Sequence, residues 1–127
     1  MPRMKNLRVL IIEDEGLIAL LLESLLERMG HEVCATASTE TAAVDAAHRH
    51  VPDLVIADAH LRSGCGVSAV AEIVRARGEK MPYMFLSGDI TGITARLPGA
   101  ITLRKPFRQA ALANAIERAL EAAASLS

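Results

Sequence analysis

Tryptophan is absent from this chain of 127 residues, and one tyrosine and two phenylalanines are its only aromatics. A core must therefore be assembled from Leu, Ile, Val, Ala and Met, within a composition that is 51% apolar. An excess of either charge is also missing, since 14 Lys and Arg stand against 15 Asp and Glu. No basic cluster marks a nucleic-acid footprint, so no nucleic-acid partner is expected. Cysteine is scarce: Cys34 and Cys65 have neither the count nor the spacing of a disulfide framework or a zinc site, which predicts reduced thiols in a cytoplasmic protein. Long hydrophobic runs are lacking too. The richest, Leu17 to Leu22, stops at Glu23, far short of a bilayer span. Met1-Pro2-Arg3-Met4-Lys5 leads into a short apolar run ended by Glu13-Asp14-Glu15, which reads as a strand entering an acidic loop and not as a signal peptide. Linkers, repeats and low-complexity segments are absent as well. One soluble domain over residues 1–127, with its core at about 5–122, no membrane partner and no attached output module, is the expectation.

What is present is an alternation of strand-like and helix-like segments. Leu7 to Ile12 forms a first apolar run. Glu15 to Met29 carries Ile18, Leu21, Leu22, Leu25 and Met29 at helical spacing, and Gly30 ends it. Leu17, Leu20 and Leu26 widen that apolar face, mostly for core packing, with a partner surface as the minor alternative. His31 to Ala37 reads as a second strand. Thr39 opens an Ala-rich helix over Thr41 to His50 that Pro52 terminates. Leu54 to Ala57 is a third strand, and Val67, Val70, Ile73 and Val74 share one face of a third helix closed by Gly78. Tyr83 to Leu86 is a fourth strand. Asp89 to Arg96 makes a poor helix because β-branched residues and glycine crowd it. Leu97-Pro98-Gly99-Ala100 reads as a turn. A fifth strand ends at Lys105, and a last helix begins at about Phe107; the tail from Ala124 to Ser127 is expected to fray. His31, His48 and His50 read as surface residues. Five strands with intervening helices predict an α/β fold, a doubly wound five-stranded parallel sheet with helices on both faces, for which the flavodoxin-like order 2-1-3-4-5 is one common solution.

Polar residues sit where the apolar runs end. The first run enters Glu13-Asp14, the third Asp58, the fourth Ser87, and the fifth passes through Arg104 into Lys105-Pro106. In a parallel sheet these ends share the carboxyl edge, where open α/β sheets bind ligands. Two carboxylates about 5 Å apart at an effective dielectric near 20 repel by roughly 3 kcal/mol, so Glu13, Asp14 and Asp58 need a cation to stay ionised together. Oxygen ligands on loops suit Mg²⁺, which leaves coordination positions for phosphate oxygens. An Asp carboxylate can attack a phosphoryl group to give an aspartyl phosphate. Asp58 stands alone at a central strand end and is the expected nucleophile; adjacent Glu13 and Asp14 look like the metal side. Lys105 and the Ser87 hydroxyl would meet phosphoryl oxygens. Each residue has a plainer reading: acids favoured at a helix N-terminus for Glu13 to Glu15, an idle loop residue for Asp58, a turn for Ser87-Gly88, a surface lysine for Lys105. Together they outweigh those readings.

With these pieces in order, nearly the whole chain resembles a receiver domain of a two-component response regulator. Glu13-Asp14-Glu15 matches the acidic loop, Asp53-Leu54-Val55-Ile56-Ala57-Asp58 the phosphoacceptor strand, Ser87-Gly88 the switch hydroxyl and Lys105-Pro106-Phe107 the lysine motif. The resemblance implies a stand-alone regulator phosphorylated on Asp58 by a histidine kinase or histidine phosphotransfer protein. It implies Mg²⁺ held by Asp14, Asp58 and the backbone carbonyl of His60, with Glu13 reaching it through water. Catalysis would be limited to the domain's own phosphorylation and slow dephosphorylation. Output would be contact with an unknown downstream protein, or a phosphate sink that drains a kinase. His60 lies where it can tune hydrolysis or partner fit, with a plain solvent-facing loop residue as the equal alternative. The chain departs from the common pattern at Thr102, where an aromatic switch residue is usual, at Arg62 in place of Pro, at Cys65-Gly66 in place of Asp-Gly, and in a short stretch between Ser87 and Lys105. Phe85-Leu86-Ser87-Gly88 and the aromatic-free fifth strand are similar to an atypical subgroup with a Phe-Ala-Thr-Gly motif. The alternatives are a pseudo-receiver that binds without phosphorylation and, last, an Asp phosphatase, which would want an acid where His60 stands.

Overall fold

Strand and helix alternate along the chain in the computed structural model, which describes residues 6–78, 80–89, 93, 97 and 99–125. The elements are β1 (Arg8–Ile12), α1 (Gly16–Arg28), β2 (Glu32–Ala37), α2 (Glu40–His50), β3 (Leu54–Asp58), α3 (Gly66–Arg77), β4 (Tyr83–Ser87), β5 (Thr102–Arg104) and α4 (Gln109–Ala124). All strand pairs are parallel, in the order β2-β1-β3-β4-β5. That is the expected doubly wound sheet.

Strand alternation sorts the core into two layers. Leu10, Ile12, Val55, Ala57 and Phe85 pack with Ala43, Ala47, Val70 and Ile73 from α2 and α3. Val9, Ile11, Leu54, Ile56, Met84, Leu86 and Leu103 pack with Leu22, Leu26, Leu112 and Ile116 from α1 and α4. Burial on both faces is why β1 and β3 read as unbroken apolar runs rather than alternating ones. Edge strand β2 is only partly buried, and its mixed composition follows from that.

The helix boundaries have local causes. Thr39 caps α2 by accepting the Ala42 N–H at its Oγ1 (3.1 Å), so the helix begins at Glu40, one residue before the expected start. At the end of α1 the Gly30 N–H donates to the Glu27 carbonyl and the His31 N–H to the Leu26 carbonyl. With Gly30 at φ 95°, this is the Schellman arrangement that glycine permits. It turns His31 inward, against the surface position expected of it. His31 is 5% exposed, not a surface residue; its Nδ1 accepts the Leu7 N–H (3.3 Å), and burial lowers its pKa. His48 is exposed and His50 half-buried.

The facing of α1 also differs from the expected one. Leu22, Leu25 and Leu26 are buried, but Leu17, Leu20 and Leu21 are 85, 62 and 46% exposed. The helix is apolar nearly all round, so spacing alone cannot select its inner face. α2 ends at Val51, which takes the left-handed conformation (φ 48°) before Pro52. β5 closes at Arg104 and α4 opens after Arg108, each within two residues of expectation. Most of the weak 89–96 segment, Pro98 of the following turn, and tail residues 126 and 127 lie outside the described residues. The Ala100 N–H does donate to the Leu97 carbonyl (3.1 Å), the closure expected of that turn.

Candidate functional site

Parallel register carries the strand-end residues to one edge. The ladder continues one step past the strands: the Glu13 N–H donates to the Ala37 carbonyl (2.9 Å), Ala59 N–H to Leu86 carbonyl (3.0 Å), and Lys105 N–H to Ser87 carbonyl (2.9 Å). Glu13 keeps the parity of Val9 and Ile11, Asp58 that of Leu54 and Ile56, and Lys105 that of Leu103. The alternation of strand residues therefore sends these three to the same sheet face. Ser87 has the parity of Phe85 and belongs to the opposite face.

The geometry follows. Lys105 Nζ lies 3.1 Å from Asp58 Oδ2, 3.1 Å from Glu13 Oε1 and 3.7 Å from Glu15 Oε1. The ammonium donates a hydrogen bond to Asp58. Against Glu13 Oε1 it is close enough for an ion pair, yet that buried oxygen receives no aligned hydrogen bond. Glu13 Oε2 accepts the Glu15 N–H (3.1 Å). Asp58 Oδ1 accepts the His60 N–H (3.0 Å), and Asp14 Oδ2 the Arg62 N–H (2.6 Å). Carboxylate oxygens of Glu13, Asp14 and Asp58 lie within 4.8 Å of one another. A crevice of ≈ 490 Å³ opens over Asp14 and Asp58, lined also by His60, Arg62, Gly88 and Lys105 among others.

Burial raises the Glu13 pKa, and the Asp58 charge pushes the same way, against the Glu15 N–H and Lys105. Burial alone would lower Lys105, but its contacts with the Asp58 and Glu13 carboxylates outweigh it and raise its pKa. Lys105 is thus a fixed cation, and Glu13 a carboxylate short of positive charge.

Of the residues singled out in the sequence, Glu13, Asp14, Asp58, His60 and Lys105 converge. Ser87 stands at the same edge, but its hydroxyl is turned to the next loop, donating to the Asp89 carbonyl (2.9 Å) and accepting the Asp89 N–H (3.1 Å). The Lys105–Pro106 peptide is cis. Three contributors are not legible in the sequence. Glu15 reaches Lys105. The Arg62 backbone holds Asp14. At Gly66 a Cβ would stand 1.8 Å from the Asp58 carbonyl oxygen, so only glycine fits there; the sequence marked it only as the glycine of Cys65-Gly66, where Asp-Gly is usual.

The family of response regulator receiver domains matches residues 9–117. The phyllosphere-induced regulator PhyR of Methylorubrum extorquens is 37% identical over 118 residues, covering 88% of this chain and 43% of that protein. The transcriptional regulatory protein PdtaR of Mycobacterium tuberculosis is 38% identical over 116 residues, covering 89% of this chain and 56% of that protein. The chain thus spans about half the length of these relatives. The solution structure of the receiver domain of PhyR from Erythrobacter litoralis superposes with a TM-score of 0.82 at 34% identity, over 94% of this chain and 93% of that one.

Proposed function

The chain belongs to the response regulator receiver domain family, and we propose that Asp58 is its phosphoacceptor, taking a phosphoryl group from a histidine kinase or a histidine phosphotransfer protein. The observation that carries this reading is the Lys105 ammonium, 3.1 Å from both Asp58 Oδ2 and Glu13 Oε1 in a crevice open to a donor. In the reaction an Asp58 carboxylate oxygen forms the new P–O bond as the bond from phosphorus to the donor nitrogen breaks, and the bonding pair returns to the departing imidazole. Lys105 neutralises charge on the transferring oxygens, which is most of what such a transfer requires. Ser87 reaches a phosphoryl oxygen only after its hydroxyl releases the Asp89 carbonyl.

Mg²⁺ fits this site. Glu13 Oε1 is buried without an aligned donor, and three acids bring oxygens within 4.8 Å of one another. Asp14, Asp58 and the His60 backbone carbonyl would hold the ion, with Glu13 linked through water. It would supply positive charge to the carboxylates and to the phosphoryl oxygens. The output is protein–protein contact with a downstream partner, or removal of phosphoryl groups from a kinase. A pseudo-receiver is the second reading, favoured only by the Ser87 hydroxyl that faces Asp89 and by Thr102 at an aromatic's usual place.

Incubation with acetyl phosphate separates the two. The phosphoacceptor reading predicts labelling that needs Mg²⁺ and disappears in Asp58→Asn. Labelling that survives that substitution, or a wild type that takes no label, contradicts it.

A further inference from the structure

The loop after Asp58 is a small hairpin, with His60 and Cys65 paired in antiparallel fashion. Across it the Gly66 N–H donates to the Ala59 carbonyl (3.3 Å), flanking the His60–Cys65 pair. In such a pair the two residues turn their own N–H groups outward. One goes to the acidic site, where the His60 N–H donates to Asp58 Oδ1 (3.0 Å). The other goes to α2, where the Cys65 N–H donates to Glu40 Oε1 (3.0 Å). Glu40 also donates its backbone N–H to the Ser63 carbonyl (3.3 Å). Between them Gly64 lies so close that a Cβ would stand 2.6 Å from the Glu40 Cβ. The hairpin is therefore gripped from both edges, and Gly66 presses its far end against the Asp58 carbonyl.

We propose that Glu40, in the first turn of α2, is a positioning residue for Asp58 that acts through the 59–66 hairpin. The proposal rests on Asp58 being the phosphoacceptor. Glu40 lies outside the crevice and touches no reacting group. Its carboxylate fixes Cys65, and the hairpin conveys that position to the His60 N–H on Asp58 and to the backbone at residues 58–60. Without this carboxylate the α2 side of the hairpin keeps the backbone bond to Ser63 but loses the hold on the Cys65 N–H, and the Asp58 carboxylate loses its set orientation.

The test compares Glu40→Ala with Glu40→Gln in the full chain, reading amide hydrogen exchange and Mg²⁺-dependent labelling by acetyl phosphate. Loss of a charge-assisted acceptor predicts that the Cys65, Gly66 and His60 amides of Glu40→Ala exchange about tenfold faster, and that labelling slows by about tenfold. Amides of β1 and β3 stay protected, which sets the effect apart from global unfolding. Glu40→Gln keeps an acceptor oxygen and restores both readouts to within about twofold of wild type. Unchanged His60 and Gly66 exchange in Glu40→Ala overturns the proposal. So does labelling at the wild-type rate with a loosened hairpin, or a Gln variant as impaired as Ala. A wild type that takes no label defeats the phosphoacceptor reading instead, and the exchange comparison then decides alone whether Glu40 sets the His60 contact.

Discussion

Glu13 and Lys105 answer each other's burial at the scale of single residues. Glu13 sits where its charge is disfavoured, and the ammonium beside it is shared with Asp58 and Glu15. Removing the cation leaves two buried carboxylates facing each other. Lys105→Met should cost about 2–3 kcal/mol at pH 7.5, read as a shift in urea midpoint. The cost should shrink as the pH is lowered, because burial favours the protonated form of Glu13, which needs no counter-charge; a cost that does not change with pH would show that Lys105 acts by packing alone. Gly66 is the other residue with no substitute. Gly66→Ala drives a methyl group into the Asp58 carbonyl and should destabilise by about 3 kcal/mol, at the upper end of overpacking effects. A stable, fully labelled Gly66→Ala protein would mean that the hairpin relaxes freely.

Single elements show where sequence reading succeeds and where it stops. β1 and β3 were legible because a strand buried on both faces needs an unbroken apolar run, and the residue ending each run is fixed by the same register. α1 was legible as a helix but not in its facing, since Leu17, Leu20 and Leu21 obey the same spacing as Leu22 and Leu25. The burial of His31 was hidden because it follows from a turn at Gly30 that carries the chain back into the core. The grip of Glu40 on Cys65 joins residues 25 apart, and local pattern carries no trace of it. The sheet face of Ser87, by contrast, follows from strand parity alone. The α2 terminus supports a separate prediction. Val51 is β-branched and left-handed (φ 48°), a conformation that costs an L-residue about 1–2 kcal/mol. Glycine escapes that cost but adds freedom to the unfolded chain, so Val51→Gly should gain about 1 kcal/mol net, or roughly 3–5 °C in Tm. A lower Tm would indicate that the Val51 side chain contributes packing despite its exposure.

In the whole molecule, the doubly wound sheet brings distant segments of the chain to one acidic crevice, and stability should therefore respond to pH and Mg²⁺ together. The folded-state pKa of Glu13 lies above its ordinary 4.5. Between those two values the folded state binds more protons than the unfolded one, so the Glu13 contribution falls as pH rises through that window. A cation in the site reverses this, because it favours the ionised carboxylates that protons would otherwise occupy. Mg²⁺ at about a hundred times its Kd should stabilise by about 2.7 kcal/mol at pH 8 and by distinctly less at pH 5. Thermal shifts with and without the ion would show this; a shift equal at both pH values, or absent in wild type, would remove Mg²⁺ from the account. The central claim is the chemistry of Asp58, and mapping the phosphoryl group tests it most directly. Protein treated with acetyl phosphate and Mg²⁺, then reduced with borohydride and digested, should carry homoserine at position 58 as its sole new residue, the product expected of an aspartyl phosphate. Reduction at another acid such as Asp14, or none anywhere, would contradict the account.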